Sequence, residues 1–86
     1  MVYYKILWKK SAVKELRNLE KASINKLLDL IETLCENPRP DGCKKLKGQK
    51  RFYRISYKAY RVIYKIEDRN LIIEIIKIGH RKSVYK

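Results

Sequence analysis

The sequence predicts a small α+β domain with two helices packed on an antiparallel sheet in the order β-α-α-β-β-β. Three observations carry this. The chain has 86 residues, enough for one domain and no more. Apolar residues recur at helical spacing in its first half and at every second position in its second half. With 45% hydrophobic residues, three Gly and two Pro, the chain is too apolar and too free of breakers to be a disordered basic tail.

Val2–Trp8, rich in Tyr, Ile and Trp, reads as a first strand ended by Lys9, Lys10 and Ser11. Ser11 then caps a short helix over Ser11–Leu19, in which Ala12, Leu16 and Leu19 share one face. A longer helix follows. Ile24, Leu27, Leu28, Ile31, Leu34 and Cys35 form its apolar stripe, Asn25, Asp29, Glu32 and Glu36 take the other side, and Asn37–Pro38 ends it. Pro40, Asp41 and Gly42 suit positions i+1 to i+3 of a type I turn that opens a basic loop, Lys44 to Arg51. Tyr53, Ile55 and Tyr57 alternate with polar residues, as do Tyr60, Val62 and Tyr64, giving two strands joined by a tight turn at Lys58–Ala59. Leu71–Ile78 is apolar on both faces and reads as a central strand.

Charge narrows the function. Twenty-two Lys and Arg against nine Asp and Glu leave +13, which points to a polyanionic partner, nucleic acid first. No apolar run approaches the ~20 residues of a membrane span, and the N-terminus lacks the pattern of a signal peptide, so a cytosolic protein is expected. Cys35 and Cys43 make neither a CxxC pair nor a zinc set with the single histidine; no metal or other cofactor is expected.

The Lys58–Ala59 turn sets Tyr57 opposite Tyr60, Ser56 opposite Arg61 and Arg54 opposite Ile63. Tyr53, Ile55, Tyr57, Tyr60, Val62 and Tyr64 then face the helices. Phe52, Arg54, Ser56, Arg61, Ile63 and Lys65 face away. Arg54 and Arg61 become diagonal neighbours, about 7 to 8 Å apart, near enough to hold one phosphate. No carboxylate occurs between Arg51 and Lys65, whereas Glu20, Asp29, Glu32 and Glu36 lie in the helical half. Two close arginines without an acid repel each other, which an anion relieves. After the central strand, Gly79 allows a bend that would bring His80, Arg81 and Tyr85 across this face.

Lys45-Leu46-Lys47-Gly48, Tyr53-Arg54-Ile55, Tyr60-Arg61-Val62-Ile63-Tyr64 and Ile78-Gly79-His80-Arg81 with Val84-Tyr85 follow in that order, after Ala12-Val13-Lys14-Glu15-Leu16 and Asn37-Pro38. Over essentially the whole chain this pattern resembles the RelE branch of the RelE/ParE toxin superfamily. The resemblance implies the toxin of a type II toxin–antitoxin pair, commonly an endoribonuclease that cuts mRNA in the ribosomal A site. It implies as partners a ribosome, its mRNA and a largely disordered antitoxin that folds on the toxin, expected here to be acidic. Arg61 and Arg81 match the family's arginines and Tyr85 its C-terminal tyrosine.

Cleavage of RNA without metal needs a base for the 2′-hydroxyl, positive charge for the phosphorane and an acid for the 5′-oxygen. Arg54, Arg61 and Arg81 are the expected phosphate clamp, and Tyr85 can stack on a base or move a proton. The ribosome-dependent type member has lysines where this chain has Arg54, Ser56 and His80, which leaves His80 as the titrating group for the base's role. Lys45, Lys47, Lys50, Arg51 and Lys82 are expected to hold RNA phosphates. Two other functions fit the same charge: a ParE-type, non-enzymatic gyrase poison, and an RNA-binding domain without catalysis.

Overall fold

A computed structural model describes residues 3–82. The chain runs β1 (Lys5–Trp8), α1 (Lys10–Arg17), α2 (Lys21–Thr33), β2 (Lys44–Lys45), β3 (Phe52–Tyr57), β4 (Tyr60–Glu67) and β5 (Ile72–His80). The strands form one sheet in the order β1-β5-β4-β3-β2. Both helices cover the same face. Ala12 and Leu16 of α1, and Leu27 and Ile31 of α2 with Leu34 just beyond it, meet Ile55, Val62, Tyr64, Ile66, Ile73, Ile75 and Ile78 in one buried cluster. Each such aliphatic side chain contributes about 1.5–3 kcal/mol on burial.

The three-strand meander follows the sequence pattern, and the pairs Tyr57↔Tyr60, Ser56↔Arg61 and Arg54↔Ile63 are formed. Lys58 takes the tight turn with φ 53°, the left-handed region, where a non-glycine residue is uncommon. The sheet differs from the expected one at both edges. β1 joins β5 in parallel, Lys5 beside Ile72 through Trp8 beside Ile75, so the sheet is mixed. Lys44 and Lys45, expected in a loop, pair with Arg54 and Tyr53 as β2.

Local signals also need correction. Ser11 lies inside α1, whose N-cap is Lys9 with no side-chain cap. In the Pro40 turn the Cys43 N–H donates to the Pro40 carbonyl, so Pro40 is position i; Gly42, at φ 88°, supplies the positive φ that a type II turn needs. Gly79 makes no bend, because β5 runs through it to His80.

The third difference decides the functional face. Between Ile63↔Lys77 and Tyr64↔Ile75 the register skips Ile76, a bulge that changes which side successive residues face. Ile73, Ile75 and Ile78 therefore all reach the core, while Lys77 and Gly79 turn to the other side.

Candidate functional site

Cross-strand partners share a side of a sheet. On the side away from the helices one row reads Lys44, Arg54, Ile63, Lys77 and the next Ser56, Arg61, Gly79. Four cations thus surround Ile63, which is only 8% exposed. Glycine opposite Arg61 leaves this part of the face without a competing side chain.

The Nε atoms of Arg54 and Arg61 are shielded from solvent. Arg61 Nη1 donates to the carbonyls of Lys58 and Tyr60, each at 3.1 Å, so the guanidinium is anchored on the hairpin turn. Its Nε has no partner among the described residues. A shielded, charged donor without an acceptor is costly, and an anion on this face would satisfy it. Arg81 comes to the same turn, its backbone N–H donating to the Ala59 carbonyl at 2.7 Å. The Arg81 backbone and the Arg61 guanidinium thus meet at the turn of the β3–β4 hairpin, while Arg54 lies further along β3, opposite Ile63.

His80 is placed differently from the expectation that set it among the arginines. It pairs with Tyr60 and meets that ring edge-on, 6.3 Å between centroids, which puts it on the helical side. The bulge at Ile76 is the reason: without it, His80 would share the side of Glu74. His80 Nδ1 accepts the Lys82 backbone N–H at 3.2 Å, so the neutral ring carries its proton on Nε2. Tyr57, Tyr60 and His80 make a half-exposed aromatic rim at the hairpin end, and the Lys58 ammonium lies 5.5 Å from the Tyr57 ring. Tyr85 lies outside the described residues.

Of the expected phosphate-holding lysines, Lys45 turns to the Tyr53 side, and the missed Lys44 is the one aligned with Arg54. Lys47 and Lys50 are exposed in the loop beyond it. Arg51 is not brought to Arg61. It has φ 70°, its carbonyl accepts the Ile66 N–H, and it lines a cavity with Asp68 and Arg69 at the far end of the hairpin. Lys82 is exposed, next to Arg81.

That far end holds a network with no sequence signal. Arg39 grips Asp68 through both nitrogens, at 2.8 and 3.3 Å, donates from Nε to the Tyr53 hydroxyl, and lies 5.1 Å over that ring. Tyr4 donates to Asp68 at 2.7 Å. The hydrogen bonds from Arg39 and Tyr4 hold the Asp68 carboxyl below its ordinary range. Tyr64, fully buried, donates to the Pro38 carbonyl at 2.7 Å, and burial pushes its phenol well above the usual range. Together these contacts fix the segment that leads from α2 to Lys44. Among the described residues, no cluster of three His, Cys, Asp or Glu is placed to hold a metal, and no helix is long and apolar enough to cross a membrane.

A family model described as the ParE toxin of type II toxin–antitoxin systems matches residues 6–85. The candidate toxin RelE1 of Methanocaldococcus jannaschii is 38% identical over 90% of this chain and 89% of its own length. Toxin RelE3 of the same organism is 31% identical over 94% of each. In the archaeal RelE–RelB complex from Pyrococcus horikoshii, the matched chain superposes with a TM-score of 0.83 at 30% identity, covering 96% of this chain and 100% of that one. The isolated Escherichia coli RelE toxin gives 0.80 at 26% identity, covering 90% and 83%.

Proposed function

The chain belongs to the RelE/ParE superfamily of type II toxin–antitoxin toxins, and from that premise we propose that it is a ribosome-dependent, metal-independent endoribonuclease that cuts mRNA in the A site and is restrained by a cognate antitoxin. The observation that carries this reading is the pair Arg54 and Arg61, on one acid-poor patch with shielded Nε atoms, with the Arg81 backbone held at the adjoining hairpin turn.

The chemistry follows from that placement. The 2′-hydroxyl attacks the adjacent phosphorus, the P–O5′ bond breaks, and a 2′,3′-cyclic phosphate and a 5′-hydroxyl result. Negative charge grows on the non-bridging oxygens of the phosphorane. Guanidiniums already fixed in a partly dry site stabilise it with little reorganisation. Arg61, held by two carbonyls, and Arg54 take those oxygens, and Arg81 reaches the same phosphate from the turn. Lys44, Lys47, Lys50 and Lys82 hold flanking phosphates, with Lys45 and Arg51 at the margins. Tyr57 and Tyr60 offer rings on which a base can stack. Tyr85 is assigned proton transfer, as the superfamily pattern suggests. His80, with Nδ1 already bonded, acts through its Nε2–H as a donor and positions the strand end.

Among the described residues the rows of Arg54 and Arg61 hold cations, and Glu74 on this side sits a row away, opposite Lys65; on this reading, alignment of the 2′-hydroxyl is left to the ribosome. Purified toxin should therefore cut mRNA in programmed ribosomes and leave naked mRNA largely intact. Equal rates on both would refute ribosome dependence. Sequencing mRNA 5′ ends after a brief pulse of expression should show new ends at codon positions. The ParE description of the matching family model supports one second reading, a gyrase poison. Gyrase-dependent double-strand breaks in supercoiled DNA, with intact message, would select it.

A further inference from the structure

The edge of the sheet farthest from the arginines is unfinished. Lys5 N–H donates to the Leu71 carbonyl and Lys9 N–H to that of Ile75, so the alternation along β1 turns the amides of Ile6 and Trp8 outward. Tyr4 N–H is already taken by the Cys35 carbonyl at the end of α2. Two residues further along, at Ile6, that cover stops. Beside the open edge, between β1 and α2, lie two adjoining hollows of about 520 and 400 Å³ that share Glu32 and Cys35. Their floor includes Ile6, Trp8 and Ile31, and their rim carries Leu28, 40% exposed, and Tyr3, 54% exposed.

Charge says what fits there. Asp29, Glu32 and Glu36 border these hollows, three of the nine acidic residues of a chain at +13. The surface is thus the reverse of the arginine patch. A partner chosen for the net charge alone would be acidic, and at this edge it would be repelled.

We propose that the β1 edge and the α2 groove dock an extended segment of the antitoxin that adds a strand beside β1, sends alternate apolar side chains against Ile6, Trp8 and Leu28, and presents Lys or Arg to Asp29, Glu32 and Glu36. Strand addition satisfies the outward main-chain groups of Ile6 and Trp8, the groove selects the side chains, and the acidic rim sets the register. This inference rests on the toxin–antitoxin reading above. It places the partner's basic residues on the side opposite to the arginines.

The test uses the full-length toxin alone and in complex with its co-expressed antitoxin. Amide hydrogen exchange at Ile6 and Trp8 should slow at least tenfold in the complex. Glu32→Lys should weaken antitoxin binding tenfold or more, while Asp41→Lys, the same charge change on a remote exposed loop, should change it less than twofold. Unprotected Ile6 and Trp8 amides in a tight complex would overturn the inference and leave the toxin–antitoxin reading standing. Tighter binding by Glu32→Lys would also overturn it, since the docked segment would then be acidic. Protection of the same amides in the toxin alone, rising with concentration, would assign the edge to a second copy instead. If no antitoxin binds, the functional reading falls and this inference with it.

Discussion

Replacing Arg61 with alanine separates catalysis from stability. The side chain is tied to the hairpin by two hydrogen bonds of 3.1 Å from Nη1. Both acceptors sit at a turn where water can replace the donor, so their loss costs at most about 1 kcal/mol, or about 4–8 °C in Tm for a domain of this size. The effect on rate is far larger. Removing one preorganised donor from a developing oxyanion typically costs about 10²–10³ in kcat, equivalent to about 2.7–4 kcal/mol. Arg61→Lys keeps the charge but loses the fork that bonds carbonyls and phosphate together, so it should recover only part of the rate. The assay is single-turnover cleavage of mRNA in programmed ribosomes, paired with thermal melts of the same preparations. Ile55→Ala is the stability control, because Ile55 is 4% exposed within the core and its truncation should cost about 2–5 kcal/mol. Cleavage by Arg61→Ala within tenfold of wild type would refute the phosphate role. A melt as depressed as that of Ile55→Ala would refute the placement of Arg61 outside the core.

Two further perturbations probe the opposite end of the sheet. Tyr64→Phe removes the donor to the Pro38 carbonyl and should cost about 1 kcal/mol at pH 7. Because the folded phenol ionises above its unfolded value, its contribution is complete below about pH 10 and is lost as pH rises beyond that; urea melts should show a shallower alkaline loss in the Phe variant than in wild type, and equal slopes would refute the shielded phenol. Asp68→Asn should lower Tm at pH 7, where the carboxylate joins Arg39 and Tyr4. Its folded pKa is depressed, so the wild-type advantage is present above the ordinary carboxylate value and shrinks as pH falls from about pH 5 through the folded value; melts from pH 7 to pH 3 check this, and a constant difference would deny the link.

What the sequence made legible is what side-chain periodicity can report. Alternation from Tyr53 to Tyr64 gave the faces of β3 and β4, and two turn residues gave their register, so Arg54 and Arg61 were placed correctly before any coordinates. The apolar stripe of α2 gave Leu27, Ile31 and Leu34 as core. Side-chain pattern says little about a strand's direction or its pairing partner. The parallel docking of β1 on β5 depends on main-chain hydrogen bonds from Lys5 and Lys9, which any residues can make. The two residues of β2 are too few to show a period, so Lys44 could not be told from Lys45. Arg39 and Asp68 are far apart in sequence, and nothing local links them.

The bulge at Ile76 is the most consequential of these hidden features. In Ile72-Ile73-Glu74-Ile75-Ile76-Lys77-Ile78-Gly79-His80, a strict period of two beginning from Ile73 and Ile75 would bury Lys77 and Gly79 and expose Ile76, Ile78 and His80. Burying an unpaired ammonium costs several kcal/mol, and losing Ile78 from the core forfeits about 1.5–3 kcal/mol more. One skipped residue avoids both, since Ile78 becomes 1% exposed and Lys77 joins the row of Arg54. The same step moves His80 away from the arginines and brings Gly79 opposite Arg61. The energetics of the core therefore dictate which residues stand at the candidate site. A bend at Gly79 was expected to carry His80 to the arginines, but β5 runs through Gly79 and the bulge before it turns His80 to the Tyr60 side. Deleting Ile76 should therefore leave Ile73, Ile75 and Ile78 in the core and Lys77 and Gly79 on the side of the arginines, whereas deleting Lys77 would remove a cation from that patch, so the skipped residue and the patch residues of β5 separate by mutation.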